Sequence, residues 1–337
     1  MPRLLTVFSV RLQERKQSNM AYIGFDTSNY TTSVAAYFPD EGMILHLKKL
    51  LPVKSGEKGL RQSDAVFHHT VQLEQLCGEL FAKNYIDITA VCASSVPRLA
   101  EGSYMPCFLV GKNTASCIAS AMKVPIYFTS HQHGHILAAL HSANRLDLLD
   151  GSFIAFHLSG GTTEAVLVEP DEENIFSCNL IAKSLDLKAG QAVDRVGIML
   201  GLDFPCGIEL EKLALKSKRT FKIKPTLKGN DCSLSGVENK CKKMLELGES
   251  KEDIALFCLE YISASLDAMS QSLLELYGDL PLVYAGGVMS NSIIRERFTS
   301  KYNAVFAKPE FSADNAAGVA IAAYLKHNKE DKQCRQF

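Results

Sequence analysis

Three times along this chain an apolar run stops at a cluster of small or hydroxylated residues. Tyr22-Ile-Gly-Phe runs into Asp26-Thr27-Ser28, and the pattern resumes at Ser33-Val-Ala-Ala-Tyr37. Phe153-Ile-Ala-Phe-His-Leu158 runs into Ser159-Gly160-Gly161-Thr162-Thr163 and resumes at Ala165-Val-Leu-Val168. Leu282-Val-Tyr-Ala285 runs into Gly286-Gly287 ahead of a helix. Each predicts a strand, a tight turn and a second element. The first two are both strand–turn–strand, and the second starts about halfway along, as two similar α/β lobes would read.

Helical spacing joins these hairpins. It predicts helices over 64–83, through Val66, Leu73, Leu76 and Leu80, and over 253–277. A helix entered near Ala189 buries Val193, Val196 and Leu200, and small residues predict close-packed helices over 108–122 and from about Asp314 to Tyr324. Ile88–Ser95 and Val124–Phe128 read as strands, and 50–60, with Pro52, Gly56 and Gly59, as a loop. The adjacent His68 and His69 must face different ways and read as surface or cleft residues rather than ligands.

Composition narrows the class. With 337 residues the chain can bury two cores, and 47% hydrophobic with 22% charged residues is ordinary for a globular protein. A net charge of -1 gives no global attraction for nucleic acid, so such a partner needs a local basic patch. The ten cysteines form no Cys-x-x-Cys pair, which argues against a zinc ribbon or thioredoxin-like chemistry. No secretory or membrane-spanning stretch is evident, so a reducing cytoplasm is expected. The basic, weakly patterned residues 1–19 read as a disordered extension.

Candidate chemistry then falls at the turns. Ser159, Gly160, Gly161, Thr162 and Thr163 offer backbone N–H groups flanked by hydroxyls, which suits a phosphate as well as an ordinary Gly-Gly hairpin. Asp26, Thr27 and Ser28 could hold a cation or water near a phosphate, or simply form an Asx turn. His131 and His135 share one face of a helix starting near Ser130, at the spacing of two imidazole ligands. A zincin protease would place Glu after the first His, where Gln132 stands. Asp194 could meet a ligand hydroxyl or the helix dipole, and Asp314 could be a ligand or an N-cap. Lys216, Lys218, Arg219, Lys222 and Lys224 form a basic run around Phe221, readable as a contact to a phosphodiester backbone or as a solvated face.

His131-x-x-x-His135, Ser159-Gly-Gly-x-Thr163, Ala189-Gly190-x-Ala-x-Asp194, Ala285-Gly-Gly-Val-x-x-Asn291 and Asp314-Asn315 occur in the order found in one family. Over about Tyr22 to Tyr324 the chain resembles the universal tRNA threonylcarbamoyladenosine synthase family, formerly called O-sialoglycoprotein endopeptidase. The resemblance implies an actin/Hsp70/sugar-kinase-like α/β fold with two duplicated lobes around a nucleotide cleft. Lobe I would span 20–150 and lobe II 151–337, with the C-terminal helix packing back on lobe I. It implies transfer of a threonylcarbamoyl group from threonylcarbamoyl-AMP to the N6 amine of adenosine 37 in tRNAs reading A-starting codons. One iron or zinc ion would sit on His131, His135 and Asp314, and the nucleotide on Ser159 to Thr163, Asp194, Gly207 and Asn291. Partners in the family are tRNA, an inactive paralogue and a small ATPase. The sequence departs from the family at Thr162 in place of His, Gln191 in place of Glu, His133 between the paired histidines, Cys206 in a Pro-Gly-Gly turn, and the loop Arg98 to Pro106. Those departures suit a divergent paralogue. Another phosphotransferase of the same fold, or a non-catalytic nucleotide-binding subunit, stands as the alternative.

Overall fold

The computed structural model describes residues 20–28, 30–52, 60–83 and 86–334. The extension expected over 1–19 and the part of the 50–60 loop that holds Gly56 and Gly59 lie outside the described residues. Contacts divide the chain into two units, residues 1–134 with 315–337, and residues 135–314.

The first unit is built on a five-stranded sheet in the order β3-β2-β1-β4-β5. These strands are β1 (Met20–Ser28), β2 (Thr31–Phe38), β3 (Met43–Leu50), β4 (Asp87–Val96) and β5 (Ile126–Ser130). β1 pairs antiparallel with β2 and parallel with β4. Helices α1 (Gln62–Lys83) and α2 (Phe108–Met122) contribute Leu73, Leu76, Leu80, Ala115 and Ala119 to a core with Ile23, Phe25, Val34 and Val91. Helix α3 (His131–Ser142) follows β5 directly. The last helix, which we number α9 (Ala317–Cys334), runs over β1. A Cβ on Gly24 would sit 2.3 Å from the backbone nitrogen of Ala320, so only glycine in the strand lets the alanine-rich helix approach this closely.

The second unit repeats that plan. Its sheet order is β12-β11-β6-β7-β8, formed by β6 (Phe153–Leu158), β7 (Thr163–Asp171), β8 (Ile175–Lys183), β11 (Leu282–Ala285) and β12 (Ala304–Phe306). β9 (Leu227–Lys228) and β10 (Asp231–Cys232) make a separate small ribbon. Here β6 pairs antiparallel with β7 and parallel with β11, as β1 does with β2 and β4. Read from the third strand of each meander, both sheets are antiparallel, antiparallel, parallel, parallel. The two hairpins legible in the sequence are thus the start of the same sheet built twice. The long helix α7 (Lys251–Tyr277) covers this sheet with α4 (Ala189–Met199), α5 (Gly207–Ala214) and α6 (Ser235–Glu246). Tyr284 lies at the core centre, stacked on Phe156 and Phe306, with its hydroxyl 2.7 Å from Ser270 Oγ. α8 (Ser292–Lys301) completes the unit.

The strands β3 and β8 and the helix α5 carry no distinct signal in the sequence pattern. β3 is an edge strand, mostly half-exposed or exposed, so it lacks an apolar stripe. His69 is a correction: it is fully buried, not a surface residue, because Thr32 Oγ1 donates to Gln72 Oε1 and lies 2.8 Å from His69 Nδ1. Burial pushes its imidazole down to about 4.

Candidate metal centre and nucleotide turn

Helix α3 begins at His131, with Ser130 at its N-cap. Ser130 Oγ accepts from the backbone N–H of His133 and lies 2.7 Å from His133 Nδ1. His133 is therefore engaged in capping, and its buried ring belongs to the helix start. His131 and His135 lie one turn apart, and with Asp314 they form a group whose ligand atoms all lie within 4.8 Å of one another. His135 Nε2 is 3.2 Å from Asp314 Oδ1, and the His135 ring meets His157 edge-on with centroids 4.5 Å apart. At the start of the helix that follows Asp314, Asn315 Oδ1 accepts from Ala317 N at 2.9 Å. Two imidazoles and one carboxylate, close together and partly buried, could hold a metal ion.

The second candidate is the β6–β7 turn. Leu158 pairs with Thr163, which leaves residues 159–162 as the connection. Ser159 Oγ accepts from Gly161 N at 3.3 Å and from Thr162 N at 3.1 Å, so two amides expected to be bare are already held by the hydroxyl. The turn is fixed against the start of α4. Thr163 Oγ1 accepts from Ala189 N at 2.8 Å, and Ser159 O accepts from Gly190 N at 3.1 Å. A Cβ on Gly190 would come within 2.6 to 2.8 Å of the backbone of Ser159 and Gly160. On the other side Gly286, at φ +96°, would drive a Cβ to 2.1 Å from Leu158 O. The turn is clamped between two glycines, neither of which lies within it. The pair Gly160 and Gly161 would place a Cβ against nothing within 4 Å.

Around this turn the other candidates have local partners. Asp194 Oδ1 accepts from Cys206 N at 2.9 Å, and burial raises its carboxyl above the usual range. Cys206 has an ordinary φ of -84°, and its side chain fills the space left by Gly197, where a Cβ would lie 2.2 Å from Cys206 Cβ. The Cys206 side chain is thus accommodated by a glycine on the facing helix. Gln191 Oε1 accepts from Lys188 N at 3.2 Å and closes the N-terminus of α4, a role Gln and Glu share. Asn291 Oδ1 caps α8 through Ile294 N at 3.2 Å, and Gly207 opens α5.

At the first hairpin, Asp26 and Thr27 are fully buried and Ser28 nearly so. Thr27 Oγ1 donates to Cys107 O and accepts from Gly111 N, so it fastens β1 to α2. Asp26 Oδ1 accepts from Ser94 Oγ and lies 3.0 Å from His131 Nδ1. In the basic run, Lys216, Lys218, Arg219, Lys222 and Lys224 are exposed, but Arg219 pairs with Glu249 and Asp253. Those acids lie 30 and 34 residues away, so a run that has no acid of its own is partly neutralised from elsewhere.

The sequence pattern of the tRNA N6-adenosine threonylcarbamoyltransferase family (TsaD) matches residues 53–321. The chain belongs to that family. One relative, a tRNA N6-adenosine threonylcarbamoyltransferase of Nitrosomonas europaea, is 28% identical over 333 residues, covering 94% of this chain and 95% of that protein. Among solved structures, full-length HypF in a phosphate- and nucleotide-bound form matches with a TM-score of 0.57 and 14% identity, over 91% of this chain and 55% of that one. HypF of T. kodakarensis matches with a TM-score of 0.58 and 12% identity, over 94% and 48%. A ROK family glucokinase from Streptomyces griseus, in complex with glucose and AMPPNP, matches with a TM-score of 0.50 and 13% identity, over 90% and 98%. This chain spans about half the length of the two HypF proteins. At such identities the likeness shows the fold alone, which is the actin/Hsp70/sugar-kinase fold that the family resemblance implies. No helix among the described residues is long and apolar enough to cross a membrane.

The approach of two further residues to the paired histidines is not legible in the sequence. His157 sits in an apolar strand and carries no spacing relation to His135. Asp26 reads as a turn residue that could hold a cation or water, but its approach to His131 spans 105 positions, which no local pattern encodes.

Proposed function

We propose that this protein transfers the threonylcarbamoyl group from threonylcarbamoyl-AMP to the N6 amine of adenosine 37 in tRNAs reading A-starting codons. The observation that carries this reading is the meeting of His131, His135 and Asp314 in a chain of this family. These three residues would hold one iron or zinc ion, which supplies Lewis-acid polarisation when bound. Ser159 to Thr163 would take the phosphate, next to the N-terminus of α4, whose partial positive charge favours an anion. Asp194 and Asn291 each use one side-chain atom to hold the fold, leaving Asp194 Oδ2 and Asn291 Nδ2 for the nucleoside, beside Gly207.

In the transfer, the adenosine amine attacks the carbamoyl carbon, the bond from that carbon to the phosphate oxygen breaks, and AMP leaves. The chain needs no side-chain nucleophile; holding donor and acceptor in register and stabilising the departing phosphate account for its part. The exposed lysines 216, 218, 222 and 224 are the proposed tRNA contact, with Arg219 a weaker contributor. A paralogous non-catalytic subunit and a small ATPase are the proposed protein partners, and the cytoplasm the proposed location.

The test is to incubate the purified protein with threonylcarbamoyl-AMP and unmodified tRNA, alone and with candidate partners, and to digest the tRNA for mass spectrometry. Appearance of threonylcarbamoyladenosine supports the reading. Its absence in every combination, with donor and tRNA intact, rejects it.

A further inference from the structure

We propose that Asp26 is the positioning carboxylate of the metal centre, acting through His131; this rests on the metal reading above. Asp26 lies at the end of β1, fully buried. Its Oδ1 lies 3.0 Å from His131 Nδ1, on the first residue of α3. The carboxylate is itself held from the neighbouring strand, where Ser94 Oγ donates to the same Oδ1. Its backbone carbonyl accepts from Ser33 Oγ at 3.1 Å, on the other neighbouring strand. One neighbouring strand thus holds the carboxylate and the other its backbone before it meets the imidazole.

The chemical consequence concerns the tautomer. A carboxylate accepting from Nδ1–H keeps the proton on that nitrogen and makes Nε2 the lone-pair donor toward the ion. It also raises the basicity of the ring and fixes its plane. His131 needs such support because it is the first helical residue, where the helix's own hydrogen bonds do not yet hold the chain. His135, one turn inside the helix and 8% exposed, is held by packing against His157. The Asp26 hairpin, readable as a phosphate or cation turn of its own, thereby becomes part of the His131 centre.

The experiment uses the full chain stripped of metal and titrated with cobalt(II) and zinc(II), following the cobalt visible spectrum and a competing chelator. Asp26→Asn keeps the shape and removes the charge; Ser94→Ala removes the carboxylate's anchor without touching His131. For Asp26→Asn the expected result is affinity weakened by roughly 10- to 100-fold, as for loss of an outer-sphere partner. At saturating cobalt the spectrum should match that of the parent, since the ligand set is unchanged. Ser94→Ala should weaken binding in the same direction but less, with metal-free melting temperatures of both variants close to the parent's. Parent affinity retained in Asp26→Asn overturns the proposal. A changed cobalt spectrum at saturation also overturns it, because Asp26 would then be a ligand itself. Should Asp26→Asn fail to fold, Ser94→Ala decides alone: unaltered affinity there overturns the proposal. A parent that takes up neither metal overturns the metal reading itself, a result distinct from all of these.

Discussion

Substituting alanine at Gly190 and at Gly160 separates what the fold needs from what a ligand needs. At Gly190 the new Cβ would lie 2.6 to 2.8 Å from three backbone atoms of Ser159 and Gly160. Backbone cannot turn aside like a side chain, so either the turn or α4 must move by most of an ångström. Overpacking of this kind costs about 1–3 kcal/mol. The bonds Gly190 N to Ser159 O and Ala189 N to Thr163 Oγ1 span the same contact, and each contributes about 1 kcal/mol. With both bonds lost the total is about 3–5 kcal/mol, which corresponds to a melting temperature lower by roughly 6–20 °C for a unit of this size. At Gly160 the added methyl meets nothing within 4 Å, and no positive φ is required. Gly160→Ala should therefore melt within about 0.5 kcal/mol of the parent, or slightly higher through a stiffer unfolded chain. Its effect should appear in calorimetric titration with AMP, where a methyl on the turn obstructs the phosphate and weakens binding roughly tenfold or more, 1.4 kcal/mol per factor of ten. The reasoning fails if Gly190→Ala melts like the parent. It fails equally if Gly160→Ala is as unstable as Gly190→Ala, or binds AMP unchanged.

Other consequences concern single residues. His69 is held near 4 by burial, while the unfolded chain takes up its proton near 6.5; stability is therefore lost as pH falls between those values, by about 3 kcal/mol over the 2.5-unit gap. Urea unfolding at neutral pH and at pH about 4.5 should show the gap between parent and His69→Gln narrowing by that order as pH falls; a constant gap contradicts it. Asp186 accepts from Leu187 N, Leu234 N and Ser235 N and holds the start of α6 from outside the helix. Asp186→Ala should cost about 1 kcal/mol, as the loss of an N-cap does, read from the urea midpoint. Alanine at Lys222 and Lys224 together should lower tRNA affinity and reduce the salt slope by up to ~2 units in filter binding, whereas Arg219→Ala, already paired with two acids, should change the slope less.

The parts of the fold readable in advance are those in which sequence neighbours act together. The hairpins at Asp26 and Ser159 show as strand, turn and strand because apolar positions bracket the polar ones locally. The repeat of those hairpins announces the duplicated sheet, and the His131/His135 pair shows by helical spacing. What stays hidden is set by distant approach. Gly190 and Gly286 read as helix and strand punctuation, yet their role is to let two elements press on Leu158 to Gly160. The glycines inside the turn, conspicuous in sequence, are not demanded by the backbone there. Cys206 reads as the loss of a glycine, and its compensation at Gly197 lies on another element. Asp26 and Ser94 join His131 only once β1, β4 and α3 are assembled. His69 reads as a surface or cleft residue because a polar residue on a helix suggests solvent, whereas Thr32 and Gln72 make a buried polar place for it.

The most direct measurement quantifies bound metal and threonylcarbamoyladenosine formation side by side in the parent and in a His131→Ala, His135→Ala double variant, both supplied with donor and tRNA. The account predicts about one ion per chain and modified tRNA for the parent, and neither for a double variant that remains folded by circular dichroism. Undiminished transfer by a folded, metal-free double variant would contradict it.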